Sequence, residues 1–161
     1  MKTYQAPWGR SLIVVSGLLV GLCVANVAVF WMLLPPDEPR ATVLIAKWTL
    51  PLIVLGCAPF MILSYTISKD AILIRRLFWE TRLDRAGLKS AELIPNAMRK
   101  SLRTFGNGGG FSFTGWYWSK PLGFYRAFVT DLNRTVVLRF GKRTVVVSPG
   151  DPEDFVEELK R

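Results

Sequence analysis

Residues 12–34 carry no charge, and as a helix they span roughly 35 Å, enough to cover a hydrocarbon core of about 30 Å. In lipid every backbone polar group must pair within its own segment, so such a run crosses as a helix. A secretory signal peptide has a shorter apolar core and a small-residue cleavage site. This run ends in FWMLLPP, so cleavage is not expected. A second run, 42–64, holds one charge, Lys47, about one turn inside the segment and shallow enough for its amine to snorkel to the interface. Pro51 and Pro59 are expected to kink this helix without abolishing it, because neighbouring groups can satisfy the freed carbonyls. Residues 35–40 allow only a tight turn, so the two helices are expected to be antiparallel neighbours.

The flanks give the orientation. Lys2 and Arg10 precede the first run, and Lys69, Arg75 and Arg76 follow the second. The connection carries Asp37, Glu38 and Arg40. Excess Lys and Arg marks the cytoplasmic side, which predicts a multi-pass protein of the inner membrane with both termini cytoplasmic. Trp8 and Tyr65 then fall at the inner ends and Trp31 and Trp48 at the outer ends, where amphipathic rings prefer to sit. Gly17 and Gly21 form a small-xxx-small pair, a candidate helix-packing face for the hairpin itself or for a homo-oligomer.

Half of the residues are hydrophobic and the mean hydropathy is +0.27, but the apolar excess is confined to the first part of the chain. That split predicts a transmembrane hairpin with an N-terminal tail over residues 1–64 and a cytoplasmic domain over 65–161. Net charge is +9. Residues 66–148 hold 15 Lys/Arg against 5 Asp/Glu, and residues 149–161 hold 2 against 5. A basic body beside a membrane anchor points to anionic headgroups rather than nucleic acid. The chain lacks histidine, and its two cysteines, Cys23 and Cys57, lie in the apolar runs. Neither a disulfide framework nor a metal site built from His or Cys is expected.

In the domain, residues 65–68 and 71–79 read as strands separated by a turn at Lys69 and Asp70, the first following the second helix without a linker. Residues 88–94, 123–130, 135–140 and 144–148 read as further strands, with turns at 131–133 and 141–142, and 96–104 as a short helix or irregular crossing. Asp151 is a good N-cap, Pro152 suits the first helical position, and Phe155, Val156 and Leu159 share a face. The expected fold class is therefore α+β: a two-helix membrane hairpin, then a mainly β curved sheet or barrel with a C-terminal helix.

The stretches RTFGNGGGFSFTGWYW (103–118), LGFYRAFVTD (122–131) and VSPGDPEDF (147–155) resemble the bacterial PH-like domain family, of the pleckstrin-homology superfold. Many of its members carry two membrane helices before the domain. The resemblance implies a PH-type barrel over residues 65–161, with binding or scaffolding rather than catalysis, and supplies no catalytic residues to carry over.

The glycine-rich segment invites a nucleotide reading and fails it. Gly110 to Gly115 has P-loop spacing, but Trp116 and Tyr117 stand where Lys and Ser or Thr are required. In the dinucleotide pattern from Gly106 and Gly108, Phe111 replaces the third glycine. The segment is better read conformationally, its glycines allowing positive φ and close backbone approach. On a strand, Trp116 and Trp118 share one face and Tyr117 the other, so one face is core and the other is available to lipid or a partner. Arg75, Arg76, Arg99, Lys100, Arg103 and Lys120 are candidate lipid or partner contacts with the two tryptophans, each cation contributing about 1 kcal/mol near an anionic surface. They do not reproduce the spacing of the basic cluster with which eukaryotic PH domains hold phosphoinositides.

Without histidine, no hydroxyl or lysine has an identifiable activating base. Glu80, Asp84 and Glu92 are interleaved with arginines, as surface ion pairs are. No catalytic, cofactor or metal residues are assigned, and no nucleic-acid or small-molecule partner. The expected function is a non-enzymatic, membrane-tethered module that binds or scaffolds a protein partner, as an accessory subunit of a larger membrane complex. An anionic-lipid or envelope-stress sensor is the alternative.

Overall fold

The structure, a computed structural model, describes residues 1–33, 41–141 and 143–161. The expected turn at 35–40, the last residue of the first apolar run and Lys142 lie outside the described residues. Helix α1 (Arg10–Leu33) and helix α2 (Ala41–Cys57) are both long and apolar enough, α2 with its following turn, to cross a membrane. Nearly all of their apolar side chains face outward, the reverse of a soluble core helix. The Lys47 amine lies 4.1 Å from the ring centre of Trp31 and 5.9 Å from that of Trp48, a cation held between two indoles.

Pro51 lies inside α2 without ending it. The helix stops at Cys57, short of the expected residue 64. Pro59 falls in a single 3-10 turn, Ala58–Phe60, after which Met61 is already extended. Proline lacks the N–H and disfavours the helical region for the residue before it. The β-rich sequence that follows then enters strand β2 (Ile62–Ile67) with no linker.

The N-terminal residues, read from sequence as a tail, form strand β1 (Lys2–Gln5). It pairs antiparallel with β2, Lys2 opposite Ile67 and Gln5 opposite Ser64. Strands β3 (Ala71–Arg76) and β4 (Glu80–Asp84) complete a four-stranded sheet, order β1-β2-β3-β4. The strand expected over 71–79 turns back at 77–79 instead. The returning strand β4 escaped notice because Leu83 is its one large apolar residue.

The second sheet holds β5 (Leu88–Leu93), β6 (Leu102–Gly108), β7 (Phe113–Ser119), β8 (Gly123–Val129), β9 (Val136–Phe140) and β10 (Thr144–Val147), in the order β5-β9-β10-β8-β7-β6. The β10–β8 pair is parallel. The two sheets do not close into a barrel. The crossing expected over 96–104 is turns, then β6. Helix α3 (Pro152–Lys160) follows its Asp151 cap, whose carboxylate accepts the Asp154 N–H at 3.1 Å.

One core joins Tyr65, Ile72 and Ile74 of the first sheet, Phe128, Leu138 and Val147 of the second, and Phe155, Val156 and Leu159 of α3. The opposite face of the second sheet packs Tyr117, Tyr125, Val129 and Val146 under Met98. A polar knot ties the sheets within this core. The Tyr65 hydroxyl donates to the Phe128 carbonyl at 2.7 Å, and the Ser148 hydroxyl beside it accepts the Thr130 N–H at 2.8 Å. Burial pushes the Tyr65 phenol up to about 12, so it stays a neutral donor.

Further contacts beyond the β1–β2 ladder hold the N-terminal residues to this body. The Gly9 N–H donates to the Thr130 carbonyl at 3.0 Å, and a Cβ at Gly9 would lie 2.6 Å from Asp131 Oδ1. Asp154 accepts from Lys2 at 2.6 Å and from the Tyr4 hydroxyl at 2.6 Å, joining β1 to α3. Gly9→Val should therefore overpack the root of α1 and cost about 1–3 kcal/mol, seen as a lower Tm of the full chain in detergent. The hydrogen bonds from Lys2 and Tyr4 hold the Asp154 carboxyl below its ordinary value. Its stabilising contribution is complete above the unfolded carboxylate pKa and is lost as pH falls through the folded one. The Tm advantage of the wild type over Asp154→Asn should thus be present at neutral pH and shrink in acid.

Candidate functional site

The glycine-rich turn between β6 and β7 is a docking element. The Ser16 hydroxyl of α1 donates to the Gly109 carbonyl at 3.1 Å and accepts the Phe111 N–H at 3.1 Å. From the other side, the Ser112 hydroxyl donates to the Phe60 carbonyl just beyond α2 at 2.9 Å. The turn is braced internally, the Asn107 amide donating to the Gly110 carbonyl and accepting the Gly110 N–H at 2.9 Å. Gly109 has φ +124°, and a Cβ there would lie 2.9 Å from Val15 Cγ1. A bare backbone is needed to reach the helix.

The register of β6, β7 and β8 arranges side chains in rows across one face. Leu102, Trp118 and Phe124 form the outermost row, and Phe105, Trp116 and Arg126 the next. Asn107, Thr114 and Phe128 form the third, where the face enters the core. Because the four-stranded sheet does not cover the β6–β7 end, the first two rows stay open. Leu102, Phe105, Trp116, Trp118 and Phe124 are between 39% and 77% exposed. The aromatic run therefore divides as its alternation predicts, with the tryptophans outward and Tyr117 buried, its hydroxyl donating to the Asn107 carbonyl at 2.9 Å. Burial pushes the Tyr117 phenol up to about 12.

Where this face meets the inner end of α2 lies a cavity of about 360 Å³, with Gly56, Cys57 and Phe60 on one side and Phe105, Trp116 and Arg126 on the other. Arg76 forms part of its wall. It is only 5% exposed, and its Nε is buried without a hydrogen-bond partner. Three rings surround its guanidinium, with centres 5.0 Å away in Phe128, 5.5 Å in Trp79 and 5.8 Å in Phe60. Arg126, exposed at the mouth, lies 4.8 Å from the ring centre of the same Phe128. Among the described residues neither arginine is in an ion pair. Burial first, and the charge of Arg126 second, lower the Arg76 pKa.

A second cavity of about 270 Å³ lies farther along the helices, lined by Val15 and Leu19 of α1 and Leu50, Ile53 and Val54 of α2. Cys57 and Asn107 border both cavities.

Of the residues singled out from sequence, Arg76 and Trp116 meet at the first cavity, and Arg103 reaches the second along β6. Arg75 is exposed and paired with Glu80 at 3.2 Å. Trp118 and Lys120 lie at the end of β7 away from the glycine turn, and Arg99 and Lys100 project from the turn before β6; none of these four lines the cavity. A Cβ on Gly17 or Gly21 would meet nothing within 4 Å, so neither packs on α2 or the domain. Sequence reasoning passed over Ser16 and Arg126. Ser16 was visible as a hydroxyl in an apolar run, whereas Arg126 had no distinguishing signal within an ordinary strand.

Ser16→Ala should strand the Phe111 N–H and the Gly109 carbonyl, costing about 1–3 kcal/mol. Tm in detergent should fall, and amide exchange should quicken at Phe111. No curated protein and no solved structure matches the chain. The sequence model of the bacterial PH domain matches residues 63–161, which covers both sheets except β1, and α3. The chain belongs to the bacterial PH domain family.

Proposed function

We propose that the chain is a non-enzymatic, membrane-tethered binding module, anchored by α1 and α2 in the cytoplasmic membrane with both termini inside, that presents its open sheet face to a protein partner. The observation that carries this reading is the uncovered double row of Leu102, Phe105, Trp116, Trp118 and Phe124. Contiguous exposed apolar surface of this kind marks an interaction site, and aromatic side chains are enriched in the centres of such interfaces. β6 adds an unpaired edge, since it ends its sheet.

Orientation supports the same reading. The ladder between β1 and β2 brings the inner ends of both helices to one side, and the glycine turn is bonded to both helical segments. A domain held in this way offers its open face at a fixed position relative to the bilayer. That suits an accessory subunit docking against another membrane protein, and rigid presentation lowers the ordering cost of association. The basic flanks after α2 support a cytoplasmic position for that face.

In a pull-down of the full chain from mild detergent, a stoichiometric partner should be recovered at low and high salt alike. Phe124→Asp should abolish that recovery, with a loss of about 2 kcal/mol or more if the residue is central to the interface. Recovery of nothing but the chain itself would refute the scaffold reading and leave self-association.

A further inference from the structure

The Arg76 cavity carries an inference independent of the partner-binding reading. A buried guanidinium is expensive unless paired and fully hydrogen-bonded. Here Arg76 is almost fully enclosed, its Nε is unpartnered, it is in no ion pair among the described residues, and it shares the Phe128 ring with another cation, Arg126. The surrounding groups are aromatic rings, which stabilise a cation but leave its Nε–H without an acceptor. Two guanidinium groups within about 5 Å of one ring centre, at the wall and mouth of a cavity with no carboxylate among the described residues of its lining, are matched to an anion that accepts several hydrogen bonds at once. Phosphate is such a group, since the planar fork of arginine binds it bidentately.

The position of the cavity narrows the choice of anion. It opens at the inner end of α2, at Gly56, Cys57 and Phe60. Past Cys57 and Asn107 the second cavity follows, walled by Val15, Leu19, Leu50, Ile53 and Val54 from both helices, with Arg103 at its rim. Ile53 and Cys57 are one helical turn apart, so the step from the charged to the apolar cavity is about 6 Å. Polar and apolar compartments in that sequence follow the layout of a membrane lipid at a bilayer surface. A free phosphate would use the first cavity alone, and an acidic side chain of a partner would leave the second unfilled.

We propose that the chain binds one anionic phospholipid in these linked cavities, its phosphate between Arg76 and Arg126 and an acyl chain along the α1–α2 groove beside the glycine turn. Gly106 and Gly115, directly opposed on β6 and β7 at φ +117° and +145°, border the cavity with backbone, and a Cβ at either would run into the other strand. The bound lipid would fix the seam between α2 and the domain, adding to the Ser16 and Ser112 hydrogen bonds that hold it.

The test titrates the full chain in detergent with dioctanoyl phosphatidylglycerol, following the fluorescence of its tryptophans. Dioctanoylglycerol, which lacks the phosphate, and inorganic phosphate, which lacks the chains, serve as the two partial probes. Phosphatidylglycerol should bind at least tenfold more tightly than either. Arg126 is exposed, so Arg126→Gln keeps the fold, and it should weaken binding at least tenfold. Arg76→Leu should do the same while raising Tm in the absence of lipid, because it removes the unpaired buried charge. Ile53→Trp should fill the groove and abolish lipid preference, whereas Lys160→Gln on α3 should change nothing. Equal affinity for inorganic phosphate, or unchanged lipid binding in Arg126→Gln and Arg76→Leu, would overturn the proposal. Phe124→Asp should leave lipid binding intact, so failure of the partner-binding reading and failure of this one are separable.

Discussion

The ladder between β1 and β2 is the contact on which the arrangement of this protein depends. The chain begins in one strand, leaves for the two helices, and returns in the neighbouring strand of the same sheet. The pair of apolar helices is thus an insertion between paired strands rather than an appendage on a tether. A flexible linker would let the domain sample many poses above the bilayer, whereas two strands in fixed register allow few. Gly9 against Asp131, Ser16 on the glycine turn, and Ser112 on the end of α2 remove much of the remaining freedom. Each is a short-range backbone contact, and two of them require glycine at the point of approach.

Fixing the domain has a consequence for its surface. The six-stranded sheet is wider than the sheet that packs on it, so the β6–β7 end keeps an apolar face in the open. In a freely diffusing protein such a face is an aggregation liability. Held in register against the two helices, it becomes an oriented surface. The boundary between covered and open parts is where Arg76 and Arg126 both approach the Phe128 ring.

Much of the architecture was legible from local chemistry. The uncharged run, the Asp151–Pro152 helix start and the alternation of Trp116, Tyr117 and Trp118 depend on neighbours in sequence, and each has its structural counterpart. The misreadings share a cause. Residues 2–5 looked like a tail because nothing nearby says that a short polar strand will find its partner beyond two helices. Glu80–Asp84 is an unremarkable charged segment until it lies against β3. The second helix was read past Pro59 because apolar residues continue there, while the missing N–H ended it. Long-range pairing cannot be seen in a window a few residues wide.

The sequence by itself determined the two helices long and apolar enough to span a membrane, the β-rich character of the rest, the family and the division of Trp116 and Trp118 from Tyr117 between two faces. All of these follow from hydropathy, periodicity or recurring motifs along the chain. Only the tertiary structure decided that the N-terminal strand closes the hairpin, that the glycine segment docks on Ser16, which aromatic face is outward, and that Arg76, one of many basic residues in the sequence, is buried and in no ion pair among the described residues. Burial and the charges around a side chain are set by segments far apart in sequence, and they decide whether an arginine is a solvated surface charge or part of a binding site.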